Sequence, residues 1–388
     1  MELAKIDPSA PEPAGGRVIK DSLGAPIGVF QETAETLITN VYQKFLDGLS
    51  KINKDEKIRR EIKFAVDECL SKGITSFYDA GSTFEEVDVY KNLTDEEKLG
   101  VRLNVMLYET NERLKKKIKD YKIIGYGNDH LTVRAIKKYI DGALGSRGAW
   151  MLEPYDDMPE SSGQNITPID ELIETSDIAI KNGFQLCTHA IGDRGNREVM
   201  NIYEFTFDKN PDFKDCRWRI EHAQHLSKND IPRFGKLGVI ASMQGIHCTS
   251  DATFVPRRIG EKRAKEGAYV WRKLIDSGAL ICNGTDSPVE DINPINCFYS
   301  SVTRKAKNGK TFYPDQKMSR MEALKSYTIN GAYAAFQENI LGSITKGKLA
   351  DIVVLSNDLL NCPEDQIKKT KVLFTIIGGK IMYKAEGK

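Results

Sequence analysis

The 388-residue sequence predicts an α/β fold built on a (β/α) barrel. Helical patterns that end near a glycine are followed by short, continuously apolar runs, and this unit recurs along the chain. Such an alternation is typical of a parallel sheet that helices cover on both faces. Seven apolar runs can be identified, whereas eight strands close a barrel of about 250 residues. The sequence therefore predicts a TIM-like barrel that is short of one strand.

The elements follow in order. The first 28 residues are rich in proline and glycine, so we expect an irregular loop there and neither a strand nor a long helix. A helical pattern begins at Gln31, and a clearer one between Glu56 and Leu70 stops at Gly73. The predicted strands lie at 73–81, 101–108, 133–140, 183–189, 217–222, 238–244 and 278–286.

The pattern changes after Leu341. Apolar runs at 350–355, 372–377 and 380–383 have no helical pattern between them, and Gly378-Gly379 is typical of a two-residue hairpin turn. Three strands predict a small β-layer that cannot bury both of its faces alone. We therefore expect a barrel over residues 1–340 and a second unit over residues 341–388.

Composition excludes several classes of protein. Hydrophobic residues make up 40% and charged residues 29% of the chain, as in soluble globular proteins. The 56 basic and 55 acidic side chains leave a net charge of +1, which gives no support for nucleic-acid or membrane binding. The seven cysteines form no C-x-x-C pair, no apolar run reaches the ~20 residues of a membrane span, and no signal pattern is present. A cytoplasmic location is expected.

Three residues at the ends of predicted strands can carry chemistry: His189, His222 and Asp286. Two imidazoles are a common start of a zinc site, and a carboxylate beside them can bind the metal or accept a proton. Taken singly, each histidine can also be a hydrogen-bonded core residue, and Asp286 can be a turn residue before Ser287-Pro288. Their common position at one end of sequential strands favours a shared site.

Motifs along most of the chain resemble the amidohydrolase superfamily, and within it the amidohydrolase-3 branch that contains N-substituted formamide deformylase. They are GGRVIKD at 15–21, GITS at 73–76, KKYIDGALGSR at 137–147, HAIGDR at 189–194, RIEHAQ at 219–224, DSPVE at 286–290, VTR at 302–304 and GKLAD at 347–351. The resemblance implies a distorted (β/α)8 amidohydrolase barrel, with a flanking β-sandwich to which residues 341–388 contribute the C-terminal part.

The resemblance also implies a site. Zinc or another divalent metal, as one or two ions, would be held by four residues: Lys137, His189, His222 and Asp286. The fourth-strand lysine of relatives, here Lys137, can be carboxylated to bridge two metals. Metal-bound hydroxide would attack the carbonyl carbon of a non-peptide, amide-like C–N bond in a small molecule, with Asp286 as the general base. Arg147 and Arg304 are candidates for substrate binding, although a structural pairing with carboxylates explains them equally well.

One motif of the family is missing. The first barrel strand of relatives ends in His-x-His, but the five histidines include no two separated by one residue. We expect truncation as the cause, either a fragment or a gene start placed at an internal methionine. His225 and His247 are interpreted as ordinary polar loop residues, with the alternative left open that His247, in the seventh loop after Gln244, reaches the site. His130 is interpreted as a turn residue. Gly245 replaces the proline that usually follows Gln244 in relatives.

Three hypotheses remain open. The first is a metal-dependent hydrolase of C–N bonds whose complete parent is active. The second is a non-catalytic remnant that survives as a binding or oligomer-forming protein. The third is an isomerase or deacetylase variant that uses one metal on the remaining ligands. A homodimer is among the oligomeric states that the sequence leaves open.

Overall fold

A computed structural model describes residues 1–13 and 16–386. Gly15 of the first motif and the last two residues of the predicted C-terminal unit lie outside the described residues. The strands are β1 (Gly16–Lys20), β2 (Pro26–Glu32), β3 (Ser76–Ser82), β4 (Arg102–Leu107), β5 (Ile123–Gly125), β6 (Leu131–Tyr139), β7 (Gln185–Ala190), β8 (Arg219–His222), β9 (Ile240–Gln244), β10 (Ile281–Gly284), β11 (Ile352–Leu355), β12 (Val372–Ile377) and β13 (Lys380–Lys384).

Helices connect most of these strands. They are α1 (Thr36–Asp47), α2 (Lys51–Ser71), α3 (Phe84–Asp95), α4 (Asn111–Lys117), α5 (Tyr126–Asp129), α6 (Ile169–Asn182), α7 (Asp193–Lys209), α8 (Ile231–Leu237), α9 (Gly245–Asp251), α10 (Val255–Ile259), α11 (Glu261–Gly267), α12 (Trp271–Asp276), α13 (Pro294–Thr303), α14 (Arg320–Ser326), α15 (Ile329–Ala334) and α16 (Glu364–Ile367). In the part of the chain that the structure describes, none of them has the length and apolar character needed to cross a membrane.

The central sheet is a curled, incomplete barrel. Its parallel strands follow the order β10-β9-β8-β7-β6-β4-β3, and the short β5 pairs antiparallel with β6. All seven predicted strands are present in this sheet, which confirms the predicted fold class. Among residues 1–13 and 16–386, β10 and β3 pair with no further strand, so they are the two edges of the sheet.

The main hydrophobic core lies between this sheet and the helices on its outer side. Continuously buried strands explain the apolar runs of the sequence: every residue of β4 and β7 is buried. In α6, Leu172, Ala179 and Ile180 are buried and face the core. The helix ends at Gly183, whose φ of +65° belongs to the left-handed region that glycine adopts readily. The sheet therefore rests on a packed layer of helices that fixes its strand ends.

The N-terminal segment differs from the expectation. Strands β1 and β2 form an antiparallel hairpin, so the prediction of an irregular loop over residues 1–28 was wrong. The prolines at positions 8, 11 and 13 all precede β1, and Pro26 begins β2, where a missing N–H is tolerated. Gly24 has a φ of +82° in the turn that joins the strands. These prolines and Gly24 lie before or at the ends of the two strands and in the turn between them, so they do not prevent strand formation.

The C-terminal strands form an antiparallel sheet in the order β11-β12-β13. Gly378 and Gly379 have φ values of +58° and +82° and form the predicted hairpin turn. The short α16 lies between β11 and β12, so the expectation of no helix between these strands was wrong. The sheet packs on α2, where Ile377 joins Val66 and Leu70 in a small core. The proposed boundary at residue 340 remains a prediction.

A buried ion pair joins the barrel to this sheet. Arg102 of β4 donates from Nε to Asp351 Oδ2 at 2.6 Å and from Nη2 to Oδ1 at 3.1 Å. The same carboxylate accepts the N–H of Gly378 at 2.8 Å. Both side chains are almost fully buried, at 2% and 5% exposure. Removal of either charge would leave the other buried and unpaired, which is costly.

We therefore expect Asp351→Asn to lower the free energy of unfolding by about 3–5 kcal/mol. Urea unfolding followed by circular dichroism would measure the loss. The matched control is Asp67→Asn, which breaks the exposed pair with Lys63 and should cost about 0.5 kcal/mol or less. Equal effects of the two substitutions would contradict the role assigned to the buried pair.

Candidate metal centre

The site lies where β6, β7 and β8 end together. Tyr139 pairs in register with His189, and Ala190 pairs with His222. The imidazole rings of His189 and His222 contact each other edge to face, with centroids 4.5 Å apart. Both histidines are buried. The parallel register thus brings together two histidines that are 33 positions apart in the sequence.

His222 is oriented by its neighbour on β9. Its Nδ1 donates to Gln244 Oε1 at 2.8 Å, which leaves Nε2 with a free lone pair. The backbone is unusual at this point, because His222 and Ala223 have φ values of +75° and +45°. Residues other than glycine adopt such values mainly where the surrounding structure imposes them, often at functional sites. The strand end is therefore bent in a way that directs the ring into the cluster.

His189 is held beside a buried carboxylate. Its Nε2 lies 3.5 Å from Asp141 Oδ1 and has no hydrogen-bond partner among the described residues. Asp141 in turn accepts the backbone N–H groups of Ile191 at 2.9 Å, Gly192 at 2.8 Å and Trp150 at 2.9 Å. This fully buried carboxylate fixes the loops after β6 and β7 relative to each other, and with them the ring of His189.

Asp286 follows β10 and completes the cluster with His247. The Nε2 atom of His247 lies 3.0 Å from Asp286 Oδ2, and its Nδ1 lies 3.7 Å from Glu290 Oε1. One ligand atom from each of His222, His247 and Asp286 lies within 4.8 Å of the others. Asp286 has a φ of +60°, again the left-handed region. Three separate segments therefore converge at one point.

His247 was interpreted from the sequence as an ordinary loop residue, and that interpretation was wrong. It lies in the first turn of α9, is buried and faces Asp286. Gly245 makes this placement possible, because a Cβ atom there would lie 2.3 Å from Ser301 Oγ and 2.5 Å from the carbonyl oxygen of Cys297. Glycine at position 245, where relatives usually carry proline, thus occurs where α9 lies close to α13.

Lys137 lies two residues before Tyr139 on β6, so both side chains are on the same face of the strand. It is 3% exposed, and its Nζ lies 4.5 Å from the centroid of the Tyr139 ring. No carboxylate within the described residues forms an ion pair with it. Burial lowers the pKa of Lys137, although the negative charges of Glu221 and Asp286 oppose the shift. Its neighbour Lys138 pairs with Glu171 instead, at 3.1 Å.

His189 and His222 are neutral at pH 7. Burial lowers the pKa of His222 to about 4 and that of His189 well below its usual range. Burial acts in the same direction on His247, but hydrogen bonds to Asp286 and Glu290 outweigh it and raise the pKa to about 9. For Asp286, burial is outweighed by the hydrogen bond to His247 and by the charges of His222 and His247, so the pKa falls to about 2.

The residues present fit a divalent metal. Imidazole nitrogens with carboxylate oxygens form the donor set that zinc and similar ions prefer. His222 has a free Nε2, and Nε2 of buried His189 has no hydrogen-bond partner among the described residues, with Asp141 Oδ1 3.5 Å away. The assignment of Lys137, His189, His222 and Asp286 as metal ligands remains a prediction. The structure adds His247 as a further imidazole at the same point.

The other residues singled out in the sequence lie elsewhere. Arg147 binds Asp157, with Nε 3.0 Å from Oδ1. Arg304 is fully buried and donates to the carbonyl oxygens of Phe312 and Tyr269. No hydrogen bond or ion pair within the described part of the chain joins either arginine to the cluster. Their proposed role in substrate binding remains a prediction.

The remaining two histidines are also outside the cluster. His225 is buried against Tyr269, with ring centroids 5.6 Å apart, and burial lowers its pKa to about 3. His130 lies in a turn, with its Nδ1 2.9 Å from the carbonyl oxygen of Gly127. Both positions agree with the interpretation from the sequence that they are not ligands.

Comparison with known proteins agrees with the geometry. A model of the amidohydrolase family matches residues 1–383. Protein LONG AFTER FAR-RED 3 of Arabidopsis thaliana is 32% identical over 99% of this chain and 66% of its own length. N-substituted formamide deformylase of Arthrobacter pascens is 24% identical over the whole of this chain and 71% of its own length. The chain thus spans about two thirds of the length of these relatives.

A solved structure shows the same fold. The crystal structure of an uncharacterized metal-dependent hydrolase from Pyrococcus horikoshii OT3 superposes with a TM-score of 0.75 and 27% identity, over 94% of this chain and 69% of that chain. The family resemblance read from the motifs is confirmed. The chain belongs to the amidohydrolase family, in its amidohydrolase-3 branch.

Proposed function

We propose that this chain carries the metal-binding centre of an amidohydrolase that hydrolyses the C–N bond of a small, non-peptide amide. The observation that supports this most directly is the contact between the rings of His189 and His222 on neighbouring strands, together with the group that His222 forms with Asp286 and His247. The relatives support the reaction class, since one is named as a deformylase of N-substituted formamides and one solved relative as a metal-dependent hydrolase. The proposal includes a cytoplasmic location.

In this proposal, Lys137, His189, His222 and Asp286 hold zinc or another divalent metal. When bound, such an ion polarises a carbonyl group and makes water a nucleophile at neutral pH. His189 and His222 offer neutral imidazoles at pH 7, because burial lowers the pKa of both. Burial likewise lowers the pKa of Lys137, which favours the neutral amine that coordination or carboxylation requires.

Asp286 has the second role, as the general base. Its pKa of about 2 keeps the carboxylate ionised at neutral pH, so it can accept a proton from the attacking water. In this proposal, Asp286 passes that proton to the leaving nitrogen. His247 holds one oxygen of the carboxylate, with Nε2 3.0 Å from Oδ2.

A second candidate function is that of a non-catalytic, metal-poor protein. The ion pair between His247 and Asp286 favours it, because a protonated imidazole occupies a carboxylate oxygen that a metal would otherwise use. Zinc content separates the two candidates. One equivalent or more at micromolar metal supports the hydrolase, and less than one equivalent supports the second candidate.

Asp286→Asn should lower kcat for an N-substituted formamide by ~10² or more, because the amide side chain cannot accept the proton. The measurement is the rate of amine release by the zinc-loaded protein. Asp177→Asn on the exposed face of α6 is the control, since it carries a carboxylate of the same type far from the strand ends. Unchanged turnover in Asp286→Asn would end its assignment as the base.

Lys137→Ala should reduce zinc affinity by about tenfold or more if the amine is a ligand. Lys138→Ala is the matched control, because it removes a buried lysine that pairs with Glu171 on the other face of the same strand. Zinc bound per chain, measured after dialysis against micromolar metal, should fall only in the first variant. A full complement in Lys137→Ala would show that this lysine serves packing alone.

Metal binding should also depend on pH through His247. A cation near Asp286 disfavours the protonated ring, so binding releases the proton that a pKa of about 9 retains at neutral pH. Zinc affinity should therefore rise by up to about tenfold per pH unit between pH 6.5 and 8.5, as measured by calorimetry. His222 titrates near pH 4 and contributes nothing in this range. A slope that persists in His247→Gln would contradict this source of the dependence.

The same pKa shift predicts the stability of the metal-free chain. A folded pKa of about 9 lies above the usual value of 6.5. The stabilisation by the ion pair is therefore fully present below pH 6.5 and is lost as pH rises through 9. Urea unfolding of the metal-free protein across this range should show the decline in the wild type but not in His247→Gln.

A further inference from the structure

A row of rings runs from the protein surface to the metal centre. Tyr108 contacts Tyr139 edge to face at a centroid distance of 5.6 Å, and Tyr139 contacts His189 at 5.0 Å. His189 then contacts His222 at 4.5 Å. The outer end of the row is open, because Tyr108 is 51% exposed, whereas both histidines are buried. The row thus forms a continuous line of ring contacts from an exposed tyrosine to the cluster.

The backbone holds the two tyrosines in place. Tyr139 is the last residue of β6, and its backbone pairs in register with His189. Tyr108 directly follows β4, and its N–H donates to the carbonyl oxygen of Ser82 at 2.9 Å. Both rings therefore stand on strand ends, which position side chains more rigidly than loops do. The distance between the exposed ring and the cluster is fixed by the sheet.

The faces of both rings are apolar surfaces. Such an aromatic surface contacts flat, apolar groups favourably. Binding pockets are lined mainly by such surfaces, with few polar groups that fix orientation.

The exposed rings of α1 and α2 have no such connection among the described residues. Tyr42 and Phe45 stack on each other at 6.3 Å on α1, and Phe64 lies on α2. These helices precede the barrel strands and contribute no ring to the row. Tyr108 therefore differs from them by its contact with Tyr139, and through it with His189.

We propose that Tyr108 and Tyr139 form the wall of the substrate pocket beside His189 and select amides that carry a planar aromatic substituent. This inference rests on the proposed function and names the substrate class for the same site. An edge-to-face or offset contact between the substituent and Tyr108 strengthens binding by about three- to tenfold over a saturated ring of equal size.

Two amides of matched shape test the wall: acetanilide, which carries a phenyl ring, and N-cyclohexylacetamide, which carries a saturated one. Dissociation constants from ligand-observed NMR titration should favour acetanilide by about three- to tenfold in the wild type. Tyr108→Leu should abolish the preference, and Tyr108→Phe should retain it. Tyr42→Leu, which removes a ring of 49% exposure from α1, is the matched control and should leave the preference unchanged.

The outcomes separate this inference from the proposed function. Equal binding of the two amides, binding of neither, or a preference that survives in Tyr108→Leu would overturn the aromatic wall. Hydrolysis of both amides by the zinc-loaded protein without preference would also overturn it, while leaving the proposed function intact. Preferential binding of acetanilide without hydrolysis of either amide would count against the hydrolase and support the wall. Because Tyr108 is half exposed, circular dichroism should show that the leucine variant folds normally.

Discussion

The whole site depends on the parallel register of β6, β7 and β8. Hydrogen bonding between these strands sets Tyr139 beside His189 and Ala190 beside His222, so each side chain reaches the same end of the sheet. The carboxylate of Asp141 also holds the two loops that follow β6 and β7, because it accepts three backbone N–H groups from them. A shift of one residue in any of these strands would move Lys137, His189 or His222 to the opposite face.

Beneath the cluster, the sheet buries charge as well as apolar surface. Arg219 pairs with Glu221 on β8 at 2.9 Å, and its guanidinium lies 4.0 Å from the ring centroid of Tyr78. Arg219 and Lys137 outweigh the effect of burial on Glu221, so the pKa of this carboxyl is lowered. Glu221 therefore stays ionised beneath the histidines. The inside of the sheet thus carries the opposite charges of Arg219 and Glu221. Their mutual attraction keeps both groups ionised, although removing them from water costs free energy.

The sequence predicted the strands well and the site only in part, for one physical reason. Strands buried on both faces are rich in apolar residues, so β4 and β7 are recognisable in the sequence although each also buries polar side chains. Irregular backbone leaves no such signal. The bend that turns His222 into the cluster depends on φ values in the left-handed region, which composition does not reveal. His247 lies in a short helix directly after β9. Its position in the sequence did not distinguish it from an ordinary polar loop residue.

The two edge strands of the incomplete barrel, β3 and β10, are partly covered by a helix of the described chain. Exposed strand edges expose unpaired backbone groups and favour aggregation. Here α15 lies between the two edges: Asn330 donates to the carbonyl oxygen of Ile281 on β10 at 2.8 Å, and Tyr78 of β3 donates to the carbonyl oxygen of Gly331 at 3.1 Å. Ala334 packs against Ile240 and Cys282 in the same region.

This bridge covers β10 only at its first residue, Ile281, whereas Asp286 follows the other end of that strand. The helix therefore satisfies a backbone acceptor where β10 begins. The other end of β10 leads through Thr285 to Asp286, so the open edge of the sheet lies next to the candidate metal centre.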